Sequence, residues 1–178
     1  MKSGALMLFF VLITAALLNG CVFIQTQDTE SEPPATETPT DNVRETPAVS
    51  GPRIALREIY ISIGPGNKSE LVGMDRLLEI IGITSLPAAE IYARYSDPRG
   101  GLADVVIIKP EEESMVEVRE ALYRYRDRRV AELENFDVLG SLDIAQNAVI
   151  FEHGEYVVLL MTPDNDAAQM IISQFMPL

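Results

Sequence analysis

An apolar leader that ends at the only cysteine of the chain limits which residues are left to fold. Lys2 gives one positive charge, and residues 5–18 form an apolar run that only Thr14 interrupts. Small Gly20 then stands directly before Cys21. A charged start, an apolar centre and a small-residue end are the three parts of a secretory signal. We therefore expect the folded core to lie further along the chain, and without a second cysteine that core has no disulfide to stabilise it.

The end of the leader, Leu18-Asn19-Gly20-Cys21, resembles a bacterial lipobox. The resemblance implies that the Cys21 thiol is joined to diacylglycerol and that cleavage after Gly20 makes Cys21 the mature N-terminus. We predict a signal peptide over residues 1–20 and a palmitate-bearing lipoprotein anchored to the extracytoplasmic face of the cell membrane. Two alternatives stay open: an uncleaved anchor, because residues 22–24 extend the apolar stretch to about twenty residues, or secretion without a lipid.

A polar segment rich in threonine, proline and glutamate follows the leader. Its prolines break any helix and it has few apolar side chains to bury, so it cannot recover the entropy that ordering would cost. Six acidic side chains face a single basic one, Arg44. We predict that residues 21–52 form a disordered acidic tether with a mean span of about 30 Å or more.

The remaining residues, 53–178, are predicted to form a single acidic domain. They carry twelve lysine and arginine side chains against twenty-one aspartate and glutamate side chains, a net charge of −9. Such a domain is a poor candidate for binding nucleic acid, which depends on neutralising phosphates. A length of 126 residues suits one hydrophobic core and not two.

The first half of this domain is predicted from its apolar spacing and its turn residues. Residues 54–63 are rich in β-forming side chains and stop at a turn made of glycine and proline. Ser69 is placed to cap a helix that Gly82 ends. Residues 89–95 alternate apolar and polar side chains, which predicts a strand.

The middle of the domain predicts a buried strand and a long helix. Residues 103–109 contain four consecutive β-branched side chains, which favour a central strand. Pro110 and Glu111–Glu113 are predicted to open the helix, because proline fits its first turn and acids there face the positive end of the helix dipole. The same three acids do not predict a metal site, since consecutive helical residues point apart. The helix is predicted to run to about Glu134.

The last part predicts a hairpin and a final helix. Residues 146–152 and 156–161 flank a turn that contains His153, and Asp164 is placed to cap the helix that follows. His153, the only histidine, is interpreted as a turn residue because no nucleophile or orienting partner stands at a visible spacing from it. Asp164 does not predict a calcium loop, since no glycine and no closing glutamate follow it at the required spacing.

The order of these elements predicts the fold class. The two halves share the sequence strand, strand, helix, and tight hairpins make neighbouring strands antiparallel. Helices that follow each strand pair can cover one face of the sheet. We predict an α+β fold, a two-layer sandwich in which an antiparallel sheet from two strand-strand-helix units carries helices on one face, with an additional N-terminal helix.

Several short runs follow one another along this domain: Ile81-Gly82-Ile83, Tyr92 to Ser96, Leu102-Ala103-Asp104-Val105 with Lys109, the long arginine-bearing helix, Phe136, Asn147-Ala148-Val149-Ile150 and Gly154-Glu155-Tyr156-Val157. Together they resemble the domain-of-unknown-function family 4358. The resemblance covers about residues 77–175 and implies a bacterial surface lipoprotein of unassigned function, with no catalytic residues to transfer. Where the family often has Tyr-x-Pro, this chain has Phe136-Asp137-Val138.

The long helix carries the candidate interaction face of the domain. Acidic side chains are interleaved with its arginines, so a solvated face whose charges pair with one another is the favoured interpretation, and a surface for an anionic partner is the alternative. The arginines are Arg119, Arg124, Arg126, Arg128 and Arg129.

Three functional hypotheses follow from these patterns. The first is a non-catalytic module of the cell envelope that binds a protein or a wall component, since no catalytic constellation is visible. The second is a protein that binds a small ligand or a metal ion, using Tyr92, Tyr95 or carboxylates in a cleft at the sheet edge. The third is a hydrolase with paired carboxylates. The pattern predicts no cofactor and no defined metal site.

Overall fold

A computed structural model describes residues 50–178 of the chain. The predicted signal peptide, Gly20, Cys21 and nearly all of the predicted tether lie outside the described residues. Among residues 50–178, no helix has both the length and the apolar character needed to cross a membrane. The elements are α1 (Pro52–Ile63), β1 (Ser69–Val72), α2 (Met74–Ile81), β2 (Ala88–Ser96), a 3₁₀ turn (Pro98–Gly100), β3 (Asp104–Pro110), α3 (Met115–Leu133), α4 (Ser141–Gln146), β4 (Val149–His153), β5 (Tyr156–Met161) and α5 (Asn165–Phe175).

The five strands form one antiparallel sheet in the order β1-β2-β3-β5-β4. Each neighbouring pair is antiparallel, including the central pair in which Val106 lies opposite Leu159. The β-branched residues Val105–Ile108 are all buried, which confirms that β3 is a central strand. The α+β class with an antiparallel sheet is thus confirmed.

Helices cover both faces of this sheet, so the predicted arrangement with helices on one face only is wrong. Val106 and Ile108 pack with buried residues of α2 and α3, whereas Val105 and Ile107 pack with α1 and α5. Successive side chains of a strand point to opposite faces. The central side chains of β3 and β5 are apolar on both faces of the sheet. Each face must therefore be shielded from water by its own helices.

The opening of the domain, residues 54–63, is helical and not the β-rich segment that its composition predicted. Pro52 occupies the first turn of α1, where a proline is well tolerated. Ala55, Leu56 and Ile59 are buried on one side of the helix, at the three- and four-residue spacing of an amphipathic helix. Packing of this stripe on the sheet outweighs the weak β preference of its isoleucines.

The region around Ser69 contains a strand that the sequence interpretation missed. Ser69 begins β1 and pairs with Ser96, so it does not cap a helix. The helix begins only at Met74, after Gly73. Its predicted end is confirmed: Gly82 has a φ of 76°, and its N–H donates to the carbonyl of Leu78 at 2.8 Å.

The start of α3 also differs from the prediction. Pro110 ends β3, and Glu111–Glu113 lie in the turn before the helix and not in its first turn. Glu113 adopts a positive φ of 65°, which takes the chain from the strand into the helix that begins at Met115. The long helix and the hairpin are confirmed, and so is the cap at Asp164, whose Oδ1 accepts from the Ala167 N–H at 2.9 Å. His153 ends β4 and pairs with Tyr156, so it is a strand residue and not the turn residue that the sequence predicted.

Gly82 gives a direct test of the α2 terminus. Its left-handed backbone costs an L-residue about 1–2 kcal/mol. A Cβ at this position would also lie 1.8 Å from Nη1 of Arg128, whose guanidinium donates to the Ile81 carbonyl at 3.3 Å. We expect Gly82→Ala to lower the free energy of unfolding, measured by urea denaturation, by about 1–2 kcal/mol. Gly66→Ala is the control: it meets no atom within 4 Å, and an equal loss there would contradict the explanation.

Candidate functional site

A fully buried carboxylate at the start of β3 lies at the centre of the polar network of this domain. Asp104 is 0% exposed and accepts four hydrogen bonds. Two come from Ser96, from its N–H at 2.7 Å and its hydroxyl at 2.6 Å. The other two come from the Tyr125 hydroxyl at 2.8 Å and from Nε of Arg129 at 2.9 Å. These donors replace the water that the carboxylate gives up on burial.

Arg129 on α3 is the positive partner of Asp104 and is 1% exposed. Its Nη2 donates to the Ser96 carbonyl at 3.0 Å. Its Nη1 donates to the Tyr95 hydroxyl at 2.9 Å and to Oε2 of Glu132 at 2.5 Å. The guanidinium also lies over the Tyr95 ring, 4.4 Å from its centroid, which adds a cation–π attraction. One side chain therefore joins α3 to the ends of β2 and β3.

The predicted place of Arg129 on an outer face of α3 is wrong. Arg129 stands four residues after Tyr125, on the buried stripe of the helix. The signal was present in the sequence, because Asp104 is the one charged residue in the run 102–108, where every other residue is apolar. A buried charged acid in such a strand needs a partner that is buried as well. Here that partner, Arg129, lies on the apolar stripe of the neighbouring helix α3.

The other four predicted arginines do not converge on one site. Arg119 pairs with Glu152 of β4 at 2.7 Å, and Arg126 pairs with its neighbour Asp127 at 2.7 Å. Arg128 lies against the end of α2, and Arg124 is exposed. The favoured interpretation of paired surface charges fits Arg119 and Arg126.

Burial raises the pKa of the acidic groups in this network. Loss of water raises the pKa of the Asp104 carboxyl, and the Arg129 guanidinium and the Ser96 and Tyr125 donors oppose that rise. Burial and the neighbouring Asp104 charge raise the pKa of the Tyr125 hydroxyl well above its ordinary value. Burial also raises the pKa of Tyr95, while Arg129 opposes it. Both tyrosines are therefore neutral at physiological pH.

An open cleft of about 860 Å³ lies next to this network, at the β1 edge of the sheet. Its walls are the start of β1, the 3₁₀ turn and the end of α3. The side chains combine aromatic surface with charges of both signs, and Phe136 is 57% exposed there. The lining residues are Asn67, Lys68, Ser69, Glu70, Tyr95, Asp97, Pro98, Arg99, Glu132 and Phe136.

Two residues of the cleft wall are held in place by the buried pair. Tyr95 and Glu132 both line the cleft and both receive hydrogen bonds from Arg129. They also border a smaller cavity of about 290 Å³ that contains Arg76. Of the two tyrosines in the second hypothesis, only Tyr95 lines the cleft. The hydroxyl of Tyr92 donates to Glu90 at 2.7 Å, and its ring packs with the core on the α1 and α5 face.

The cleft lies diagonally across the sheet from the point where the described chain begins. Ser50 and Gly51 lie beside the hairpin residues His153–Tyr156, and the Gly51 N–H donates to the Phe175 carbonyl at 2.6 Å. That hairpin belongs to the β4 edge, whereas the cleft belongs to the β1 edge. From the strand spacing and the rise per residue, the two corners are on the order of 25 Å apart.

Three carboxylates line the cleft, Glu70, Asp97 and Glu132, of which Asp97 pairs with Arg99 and Glu132 pairs with Arg129. Among residues 50–178, no group of three or more histidine, cysteine, aspartate or glutamate side chains is placed to hold a metal. Asp104, the most deeply buried carboxylate of this part of the chain, has its oxygens engaged by four donors and does not line the cleft. His153 Nε2 contacts the Met176 carbonyl.

A comparison of this chain with profiles of known families, with curated proteins and with solved structures finds no match. The resemblance to family 4358 therefore stays a prediction.

The buried pair predicts a specific pattern of stability losses. Arg129→Leu leaves the Asp104 charge buried without its partner, so we expect a loss of about 3–5 kcal/mol in the free energy of unfolding. The double variant Asp104→Leu/Arg129→Leu removes both charges and should cost less than the sum of the two single changes. Arg126→Leu, whose pair with Asp127 is exposed, is the control and should cost about 0–1 kcal/mol. Additive losses in the double variant would contradict a coupled pair.

Proposed function

We propose that this protein is a non-catalytic binding module of the cell envelope, anchored by a lipid on Cys21, that takes its partner in the cleft at the β1 edge. The partner is an envelope protein or a wall component. The observation that carries the binding role is the cleft itself, where aromatic and charged side chains surround one open space beside a rigid buried network.

The fixed wall of the cleft supports binding. Side chains that are already ordered lose less conformational entropy when a partner arrives, so less of the contact energy is spent on ordering them. Tyr95 and Glu132 meet this condition because Arg129 holds both. Exposed Phe136 adds an aromatic surface, and aromatic residues are enriched at interfaces.

The position of the cleft supports a module that is tethered on one side and binds on the other. When the tether joins the domain at the His153–Tyr156 corner, the β1 edge is on the opposite side and faces away from the point of attachment. The net charge of −9 in residues 53–178 would keep the domain from settling on an anionic membrane surface.

A small polar ligand is the second candidate. The volume of about 860 Å³ lies within the range of small-molecule sites. An open cleft beside an edge strand suits an extended macromolecular partner better, because it leaves much of a small ligand exposed to water.

The anchor is tested by labelling cells with radioactive palmitate. We expect the wild-type chain to take up label and Cys21→Ser to lose it completely, because Cys21 is the only cysteine of the chain. Cell fractionation of both forms is the second measurement, and Cys21→Ser should leave the membrane fraction. Label that persists in Cys21→Ser, or a wild-type chain in the cytosol, would contradict the anchor.

The binding cleft is tested with a photoreactive phenylalanine analogue placed in the full chain in its own cells. At position 136 it stands in the cleft, and at position 170 it replaces Met170, which is 73% exposed on α5 and is not part of the cleft. We expect irradiation to give a defined crosslinked product from position 136 and none from position 170. Equal products at both positions, or none at either, would contradict the cleft as the binding site.

A further inference from the structure

We propose that the cleft binds an extended, positively charged segment of a partner protein, which adds to the sheet as a strand beside β1. This inference rests on the proposed function and names the kind of partner. Strand addition at a free sheet edge is a general mode of peptide recognition, in which the backbone supplies affinity and side-chain pockets supply specificity.

The backbone of β1 presents hydrogen-bonding groups outward. The Asp97 N–H donates to the Lys68 carbonyl at 2.9 Å, so the backbone carbonyl of Lys68 points toward the β2 side. The Ser96 N–H instead donates to Asp104, away from β1, so its opposite residue Ser69 does not exchange backbone bonds with β2. Along an antiparallel strand, the backbone N–H and C=O groups of successive residues point alternately to one side of the strand and to the other. Leu71, two residues after Ser69, therefore directs its N–H and its carbonyl to the outer edge, where residues 50–178 supply no further strand.

A buried polar atom that has no partner in residues 50–178 lies beside the same edge. Within the described residues, two buried side-chain atoms have no hydrogen-bond partner: Oδ1 of Asn67 and Nε of Arg94. Asn67 lines the cleft two residues before β1, whereas the Arg94 guanidinium lies over the Tyr60 ring of α1 and its Nη2 donates to the Ser69 carbonyl at 3.0 Å. Buried polar atoms are nearly always satisfied in native proteins, so such atoms need an explanation. Of the two residues only Asn67 lines the cleft, so its oxygen is the atom that an N–H of an added segment would satisfy.

Charge favours a basic partner over a second copy of this chain. Residues 53–178 have a net charge of −9, so two copies repel each other. In the cleft, Asp97 pairs with Arg99, and Glu132 shares Arg129 with the buried Asp104. Glu70 lies beside them on β1, with its side chain exposed. The cleft lining itself has three acids against Lys68 and Arg99, a net charge of −1, so the attraction of a partner rich in lysine or arginine comes mainly from the −9 of the whole domain.

Leu71→Pro tests the backbone contact. Proline removes the outward N–H of Leu71 and keeps the β1–β2 hydrogen bonds, which is why proline is tolerated on edge strands. The probe is the photoreactive side chain at position 136 of the full chain in its own cells. We expect Leu71→Pro to lower the crosslinked product about ten-fold, since the ring also blocks the approach of a strand. The matched control, Leu71→Ser, removes the apolar side chain but keeps the N–H, and should stay within about two-fold of wild type.

A second variant tests the charge without touching the backbone. Glu70→Lys reverses an exposed charge of the cleft, and we expect it to lower the product about ten-fold at low salt and less at high salt. Thermal unfolding of each variant checks that it folds. Should Leu71→Pro fail to fold, Glu70→Lys and the mass-spectrometric identity of the crosslinked segment decide the question, and a basic segment of another protein is the result expected.

The possible outcomes separate this inference from the proposed function. A product that survives both Leu71→Pro and Glu70→Lys leaves the cleft as a binding site and overturns strand addition. A crosslink to a second copy, to residues 1–49 of the chain itself or to a carbohydrate overturns the basic protein partner. Absence of any product from the wild-type position 136 overturns the proposed function together with this inference.

Discussion

The buried ion pair between Asp104 and Arg129 sets the geometry on which the rest of the domain depends. Removing two charges from water costs several kcal/mol for each ion, and only a nearly complete set of hydrogen bonds offsets that cost. Asp104 receives four, and Arg129 donates to Asp104, to the Ser96 carbonyl, to Tyr95 and to Glu132. A shift of α3 along the sheet by one residue would leave both charges buried without a partner. The pair therefore fixes one position of α3 out of those that apolar packing alone would allow.

The same pair links the core to the surface. Its buried side binds Asp104 to Tyr125 and Ser96, and its outer side ends at Tyr95 and at Glu132, whose side chain is 49% exposed. The cleft wall is thus connected to the core, because the side chain that completes the ion pair also donates hydrogen bonds to the two residues that face the cleft. In the proposed function, the structural role and the binding role are therefore two effects of one network.

The sequence predicted the parts of the fold that local patterns determine, and missed those that depend on distant contacts. The strands around residues 89–95 and 103–109, the end of α2 at Gly82 and the cap at Asp164 follow from alternation and from capping chemistry, and the structure contains all of them. The isoleucines of α1 favour a strand by themselves, and only the sheet face beneath them makes the helix the better choice. Arg129 was counted with the surface arginines because its charge matches theirs, and its role depends on Asp104, 25 residues earlier in the chain. The cleft joins residues 67–70 with residues 132–136, a proximity that no local pattern encodes.

Within residues 50–178, the topology leaves only the edges of the sheet without a covering helix. Helices α2 and α3 cover one face and α1 and α5 cover the other, so the central strands offer no surface to a partner. Of the two edge strands, β4 has Ser50 and Gly51 of the entering chain at its hairpin end, and its Glu152 pairs with Arg119 of α3. The β1 edge has the cleft, the exposed Glu70 and Leu71, and Asn67, whose Oδ1 is buried without a partner among the described residues, beside it. An unprotected edge strand is an aggregation risk that folded proteins normally cover or charge. A four-residue strand that keeps its edge open in an acidic domain is consistent with an edge reserved for a partner of opposite charge.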